Sequence, residues 1–117
     1  MIILALRTDG NESQLILLEN NQIIAEKKWE SGRSLAKDLS KEIKDFFSKN
    51  GELNVDGYIG YLGPGSFTGL RIGLSTLNAA AYALSNPIVG SVGDGWVEEG
   101  VSRLLAGESD KILLPLY

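Results

Sequence analysis

The chain contains neither cysteine nor histidine. These absences exclude disulfides, thiol nucleophiles, zinc sites of the usual Cys/His kinds and the commonest side-chain acid–base chemistry. An enzyme built on this sequence would depend on carboxylates, lysine, tyrosine or a hydroxyl. Positive charge is also scarce: 11 Lys and Arg face 15 Asp and Glu, a net charge of −4. A broad basic surface for nucleic acid is not expected from that balance. No apolar stretch reaches the ~18 residues of a membrane span. The opening MIILALRTDG lacks the basic and long apolar regions of a signal peptide. The expectation is a cytoplasmic protein without a membrane partner. Asn11-Glu12-Ser13 matches a glycosylation sequon and is read as chance. With 117 residues, 44% apolar and 22% charged, the chain reads as one soluble domain with a single core.

Ile2 to Leu6 is a continuous apolar run and predicts a buried strand. Gln14–Glu19 and Gln22–Trp29 predict two more, with Asn20-Asn21 as a two-residue hairpin turn. Ser34 is a candidate N-cap. Behind it, Leu35, Ala36, Leu39, Ile43, Phe46 and Phe47 fall within an arc of ~120°, the pattern of an amphipathic helix over 35–49. Asn50-Gly51 stops it. Val55–Leu62 predicts a fourth strand, Leu70–Ser85 a second helix stopped by Asn86-Pro87, and Ile88–Val92 a fifth strand. Residues 93–117 belong to the same domain. They hold a helix candidate, Trp96–Ala106 with Gly107 as its stop, and an extended tail, Lys111–Tyr117, at an edge or docked. The order βββαβαβ describes an α/β fold with a mixed sheet.

The segment GYLGPGSFTGLRIG at 60–73 carries two readings. A glycine-rich loop opening a helix can bind an anion, because free N–H groups and the helix dipole point outward. Gly65, Ser66, Thr68 and Arg71 are then the candidate anion ligands, and a nucleotide-binding module or enzyme using Gly63–Gly69 is the competing function. The spacing matches neither a Walker A loop, nor the dinucleotide fingerprint, nor a G-x-S-x-G elbow. The alternative is structural: Gly63 and Gly65 make a turn, and Ser66 or Thr68 caps the helix.

The second helix carries large apolar residues at Leu70, Leu74, Leu77, Ala81 and Leu84. Small ones at Gly69, Gly73, Thr76, Ala80 and Ala83 lie beside them. Together with Ile72 and Ala79 these span ~220° of its circumference. A helix resting on a sheet needs about half that. The surplus implies a second burial, against the first helix, a partner chain, or both. Among the carboxylates, Glu98-Glu99 point ~100° apart and make no acid–base pair; Asp38, Glu42 and Asp45 suit i,i+3 and i,i+4 charge pairs on the first helix. No metal set and no catalytic set is identified. Trp96 suits either an anchor over the sheet or a partner contact.

ILAL at 3–6, SGRS at 31–34 and above all GPGSFTGLRIGLST at 63–76 resemble the bacterial TsaB (YeaZ) family, a subunit of tRNA threonylcarbamoyladenosine biosynthesis. The resemblance covers residues 1 to about 92. It implies a single lobe, 1–92, of the actin-like (ASKHA, RNase H-like) architecture, followed by a short C-terminal segment. It also implies a non-catalytic subunit without cofactor that pairs with a TsaD-like enzyme, which modifies adenosine 37 of certain tRNAs. A TsaE-like ATPase joins such complexes, homodimers form through a similar surface, and tRNA is met only indirectly. The family contact uses the two helices of this lobe. Carried onto this chain, the partner-binding residues are Ala36, Leu39, Ile43, Phe47, Gly69, Gly73, Thr76, Ala80 and Ala83. TsaB proteins have also been linked to proteolysis, but no triad or metal set supports that here.

Three departures qualify the resemblance. The family's first strand runs into L-D-T, whereas Leu6-Arg7-Thr8 stands here, and a cation cannot ligate Mg²⁺; solvation or ion pairing is expected of Arg7. The family's His after S-G-R-S is replaced by Leu35. A second lobe of similar size is expected in the family, but about twenty-five residues follow Val92. The reading is an internal loss with the closing Leu114-Pro115-Leu116-Tyr117 retained, so the usual interlobe nucleotide site is incomplete.

Overall fold

In the computed structural model, which describes residues 1–117, the opening apolar run forms β1 (Ile2–Arg7), the middle strand of a five-stranded sheet. It is apolar throughout because both faces are covered: Leu4 and Leu6 enter one core layer, Ile3 and Ala5 the other. β2 (Glu12–Glu19) pairs antiparallel with β1, and β3 (Gln22–Glu30) antiparallel with β2. Asn20 in the turn between them has φ 52°, a left-handed conformation that asparagine tolerates and tight hairpins demand. β4 (Gly57–Tyr61) and β5 (Ile88–Ser91) add in parallel on the other side of β1. The resulting order is β3-β2-β1-β4-β5.

One face of the sheet is covered by α1 (Leu35–Lys49) and α2 (Phe67–Leu84), which pack Leu35, Leu39, Phe46, Leu74, Leu77 and Ala81 onto Leu4, Leu6, Leu15, Leu17 and Tyr58. α3 (Trp96–Leu105) covers the other face, setting Trp96, Val101 and Leu104 against Ile3, Ala5, Ile16, Ile59 and Val89. Trp96 is an anchor: it is buried, meets Tyr61 edge-to-face, and its carbonyl accepts from Ser91 Oγ at 2.5 Å. After a bend at Lys111–Ile112, residues 113–117 run along the first face, where Leu113 joins the α1–α2 core. This is the α/β fold with a mixed sheet that the element order implied, and of the two readings of the tail, edge or docked, it is the docked one.

Four local expectations change. The Ser34 side chain caps nothing; a 3-10 turn, Gly32–Ser34, enters α1 instead, with Ser34 N–H donating to Ser31 O at 2.8 Å. α2 begins at Phe67 rather than Leu70, because Ser66 Oγ accepts from Gly69 N–H and starts the helix a turn earlier. The fourth strand is shorter than Val55–Leu62, since the Asp56 carboxylate bonds Ile2 N–H at 2.8 Å and leaves the ladder to start at Gly57. Glu42 makes no pair within α1. It reaches Lys27 on β3 and pins the helix across the outer strands.

Candidate functional site

The glycine segment departs from β4 and wraps the β1–β2 turn. A Cβ on Gly65 would lie 2.5 Å from Asp9 Cβ, one on Gly69 2.4 Å from Thr8 O, and one on Gly73 2.1 Å from Thr8 Oγ1. Gly69 and Gly73 share one stripe of α2, with Gly65 one turn before it. The three form a trough for Thr8-Asp9, with backbone against Gly65 and Gly69 and the Thr8 side chain against Gly73. Two hydrogen bonds close it: Ser66 N–H donates to Asp9 O, and Thr8 Oγ1 donates to Gly69 O, both at 2.8 Å. The glycines are therefore occupied by the chain's own hairpin. Arg7, at the end of β1, is paired: Nε and Nη2 donate to the two oxygens of Asp9 at 2.7 and 3.1 Å, and the guanidinium lies 3.8 Å over the Tyr61 ring. These hydrogen bonds donated to Asp9 push the Arg7 pKa above its ordinary value, so its charge is fixed.

A cleft of about 400 Å³ opens between Asn11, the Gly32-Arg33 turn and the start of α2 at Ser66, Thr68 and Gly69. It gathers part of the candidate anion set. Gly65 faces Asp9 instead, and Arg71 lies outside the cleft with its guanidinium 5.2 Å from the Phe67 ring centre. Of the N–H groups opening α2, Gly69's goes to Ser66 Oγ and Leu70's to Ser66 O. Arg33, which lines the cleft, entered the sequence reading only as part of the SGRS segment and was given no ligand role. No three Asp or Glu side chains converge as a metal site.

The partner-binding candidates separate into two groups. Leu39 is 1% exposed and belongs to the core between α1 and the sheet, and Gly73 is buried against Thr8. Neither is open to another molecule: the arc that a helix shows to its sheet is the same arc that periodicity marks as apolar. Gly69, half-buried, is engaged with Thr8 as well. The rest lie at the surface. Ala36 and Ala83 are exposed; Ile43, Phe47, Thr76 and Ala80 are half-buried. Thr76 Oγ1 donates back to Ile72 O at 2.9 Å, which satisfies the hydroxyl within the helix. Thr76, Ala80 and Ala83, with Ile72 and Ala79, make the outward flank of α2, while Ala36, Ile43 and Phe47 belong to α1. From Ile72 to Leu84, α2 has no Asp, Glu, Lys or Arg. Asn78 escaped sequence reasoning. It grips the tail by both ends of its amide: Nδ2 donates to Leu113 O at 3.0 Å, and Leu113 N–H donates to Oδ1 at 2.8 Å.

Order and direction of strands define the chain as an RNase H-like lobe of the actin-like class. Among solved structures it is similar to YeaZ from Pseudomonas aeruginosa, with a TM-score of 0.71 and 26% identity over 78% of this chain. A second structure, described as an uncharacterized protein with similarity to peptidase YeaZ from Pseudomonas aeruginosa, matches to the same extent. The chain is similar to a TsaB (YeaZ) lobe, as the glycine segment indicated, and it spans 43% of the length of those two chains. Comparison with protein-family models and with curated proteins finds no match. No helix is long and apolar enough to cross a membrane.

Proposed function

We propose that the chain is a non-catalytic subunit that binds a TsaD-like protein in tRNA threonylcarbamoyladenosine synthesis, through the outward flanks of α1 and α2. The observation that carries this reading is the uncharged, small-residue flank of α2 from Ile72 to Ala83, which α1 leaves partly open. A solvated helix face normally carries charge. Alanine and threonine there let a second helix approach closely and in register, and the half-buried Ile43 and Phe47 extend the apolar area. A partner helix seated on this flank would complete a layer of helices over the sheet. Docking would favour the active arrangement of the partner by binding it more tightly than other arrangements. The same flank would serve a homodimer in competition with the heterodimer, while a TsaE-like ATPase and tRNA would be met through the partner.

The test is Ala80→Arg in chains co-expressed with the TsaD-like protein of the same organism. A half-buried, charged and long side chain in the middle of the flank should abolish co-purification while leaving the circular dichroism and monomer melting temperature near wild type. Co-purification at wild-type yield with Ala80→Arg refutes the interface.

A further inference from the structure

The flank of α2 away from α1 holds a second binding feature, independent of the docking face. Residues 111–117 lie in a groove made by Asn78, Gly60 and the β4–α2 loop. The Asn78 amide gives Leu113 the donor and acceptor that a neighbouring strand would give, and Leu62 O accepts from Leu116 N–H at 2.7 Å. The Leu113 side chain is buried over Gly60, where a Cβ would sit 2.5 Å from its Cδ1. At the end, Tyr117 stacks on Phe67 with ring centres 4.5 Å apart. Main-chain hydrogen bonds with a pocket for a single apolar side chain are the means by which grooves recognise extended peptides.

Two facts set this segment apart from an ordinary docked tail. Its other apolar side chains face water: Ile112 is 66% exposed, Leu114 74% and Leu116 52%. Its pivot is strained. Lys111 has φ +68°, a left-handed conformation unfavourable for a residue with a Cβ. Just before it, Asp110 is fixed to Arg103 Nη1 and Nη2 at 3.0 and 2.5 Å and to Gly90 N–H at 2.8 Å. The tail therefore has a fixed base, a strained hinge and contacts that do not depend on chain continuity. We propose that this groove is an interaction site for a second copy of the chain, and that two copies exchange residues 111–117 reciprocally. A second copy is the occupant because the groove is shaped to this very segment, which another copy also carries. Exchange relaxes Lys111 in both chains, keeps every groove contact, and brings the two sets of Ile112, Leu114 and Leu116 against each other.

The absence of native cysteine makes the test clean. Phe67→Cys in one chain and Tyr117→Cys in a second, tagged chain are mixed at high concentration and oxidised. The expected product is a disulfide-linked heterodimer. No heterodimer, while Phe67→Cys/Tyr117→Cys in one chain closes internally, overturns exchange. Light scattering on the cysteine-free protein supplies the independent readout. A dimer fraction that rises with concentration is expected, with Lys111→Gly weakening dimerisation about tenfold by removing the strain that opening relieves. A monomer at every concentration overturns the proposal. Ala80→Arg, on the opposite flank, should leave this dimer intact, which separates its failure from that of the docking face.

Discussion

Gly73→Ala distinguishes a glycine kept for close packing from one kept for a partner. A new Cβ would stand 2.1 Å from Thr8 Oγ1, 3.0 Å from Thr8 Cγ2 and 3.1 Å from Thr8 Cβ. Thr8 is 2% exposed and its hydroxyl donates to Gly69 O, so it cannot rotate away without leaving that hydroxyl unpaired. Overpacking of this kind costs about 1–3 kcal/mol. A buried hydroxyl without its partner costs about 1–3 kcal/mol more. Against this, alanine favours a helix interior over glycine by about 1 kcal/mol. The net expectation is a loss of about 1–5 kcal/mol, roughly 10 °C in Tm at the middle of that range for a chain of this size. Thermal and urea unfolding followed by circular dichroism measure it. Thr8→Ala removes both the clashing hydroxyl and its hydrogen bond, so the cost of Gly73→Ala should fall by more than half in that background. Gly69→Ala should cost more than Gly73→Ala, because its obstacle is the backbone oxygen of Thr8, 2.4 Å away, which has no rotamer to change. If Gly73→Ala raises Tm, the trough is not where the glycines act, and the small-residue stripe must be read as outward-facing.

Leu39→Ala should destabilise the monomer by about 2–5 kcal/mol, as a large-to-small change in a packed core does. Ala36→Arg, one turn away on exposed surface, should shift stability by less than about 0.5 kcal/mol in the same denaturant titration. Arg103 hydrogen bonds hold the Asp110 carboxyl below its ordinary value of 3.8, helped by Gly90 N–H. A depressed folded pKa contributes stability that is present above the unfolded pKa and lost as pH falls through the folded one. Arg103→Gln should therefore be less stable than wild type at neutral pH, and the gap should close as pH drops below about 3.8; a gap independent of pH down to full protonation refutes the pairing. Calorimetry with ATP, ADP and NAD should show no submicromolar binding, because the glycine loop is filled by Thr8-Asp9; such binding would favour a nucleotide-binding module.

Patterns local in sequence specified much of this lobe. The apolar run Ile2–Leu6, the Asn20-Asn21 turn and the periodicity of Leu35–Phe47 each state their own conformation. Backbone geometry and burial act there over a few neighbouring residues. The chemistry that the molecule lacks was equally plain, since an absent residue type is absent in every conformation. What tertiary structure alone decided is which side of each pattern faces inward and what fills the glycines. Leu39 and Ile43 look alike in a helical repeat, yet one lies in the core and the other at its rim, because the crossing of α1 over β3 sets the boundary. Gly65, Gly69 and Gly73 announce a close approach but not by whom; Thr8-Asp9 lies some sixty residues earlier in the chain. The grip of Asn78 on Leu113 spans 35 residues and has no local signal at all. Contacts between distant segments depend on how the whole sheet brings them together, and that information is held by no single stretch of the sequence.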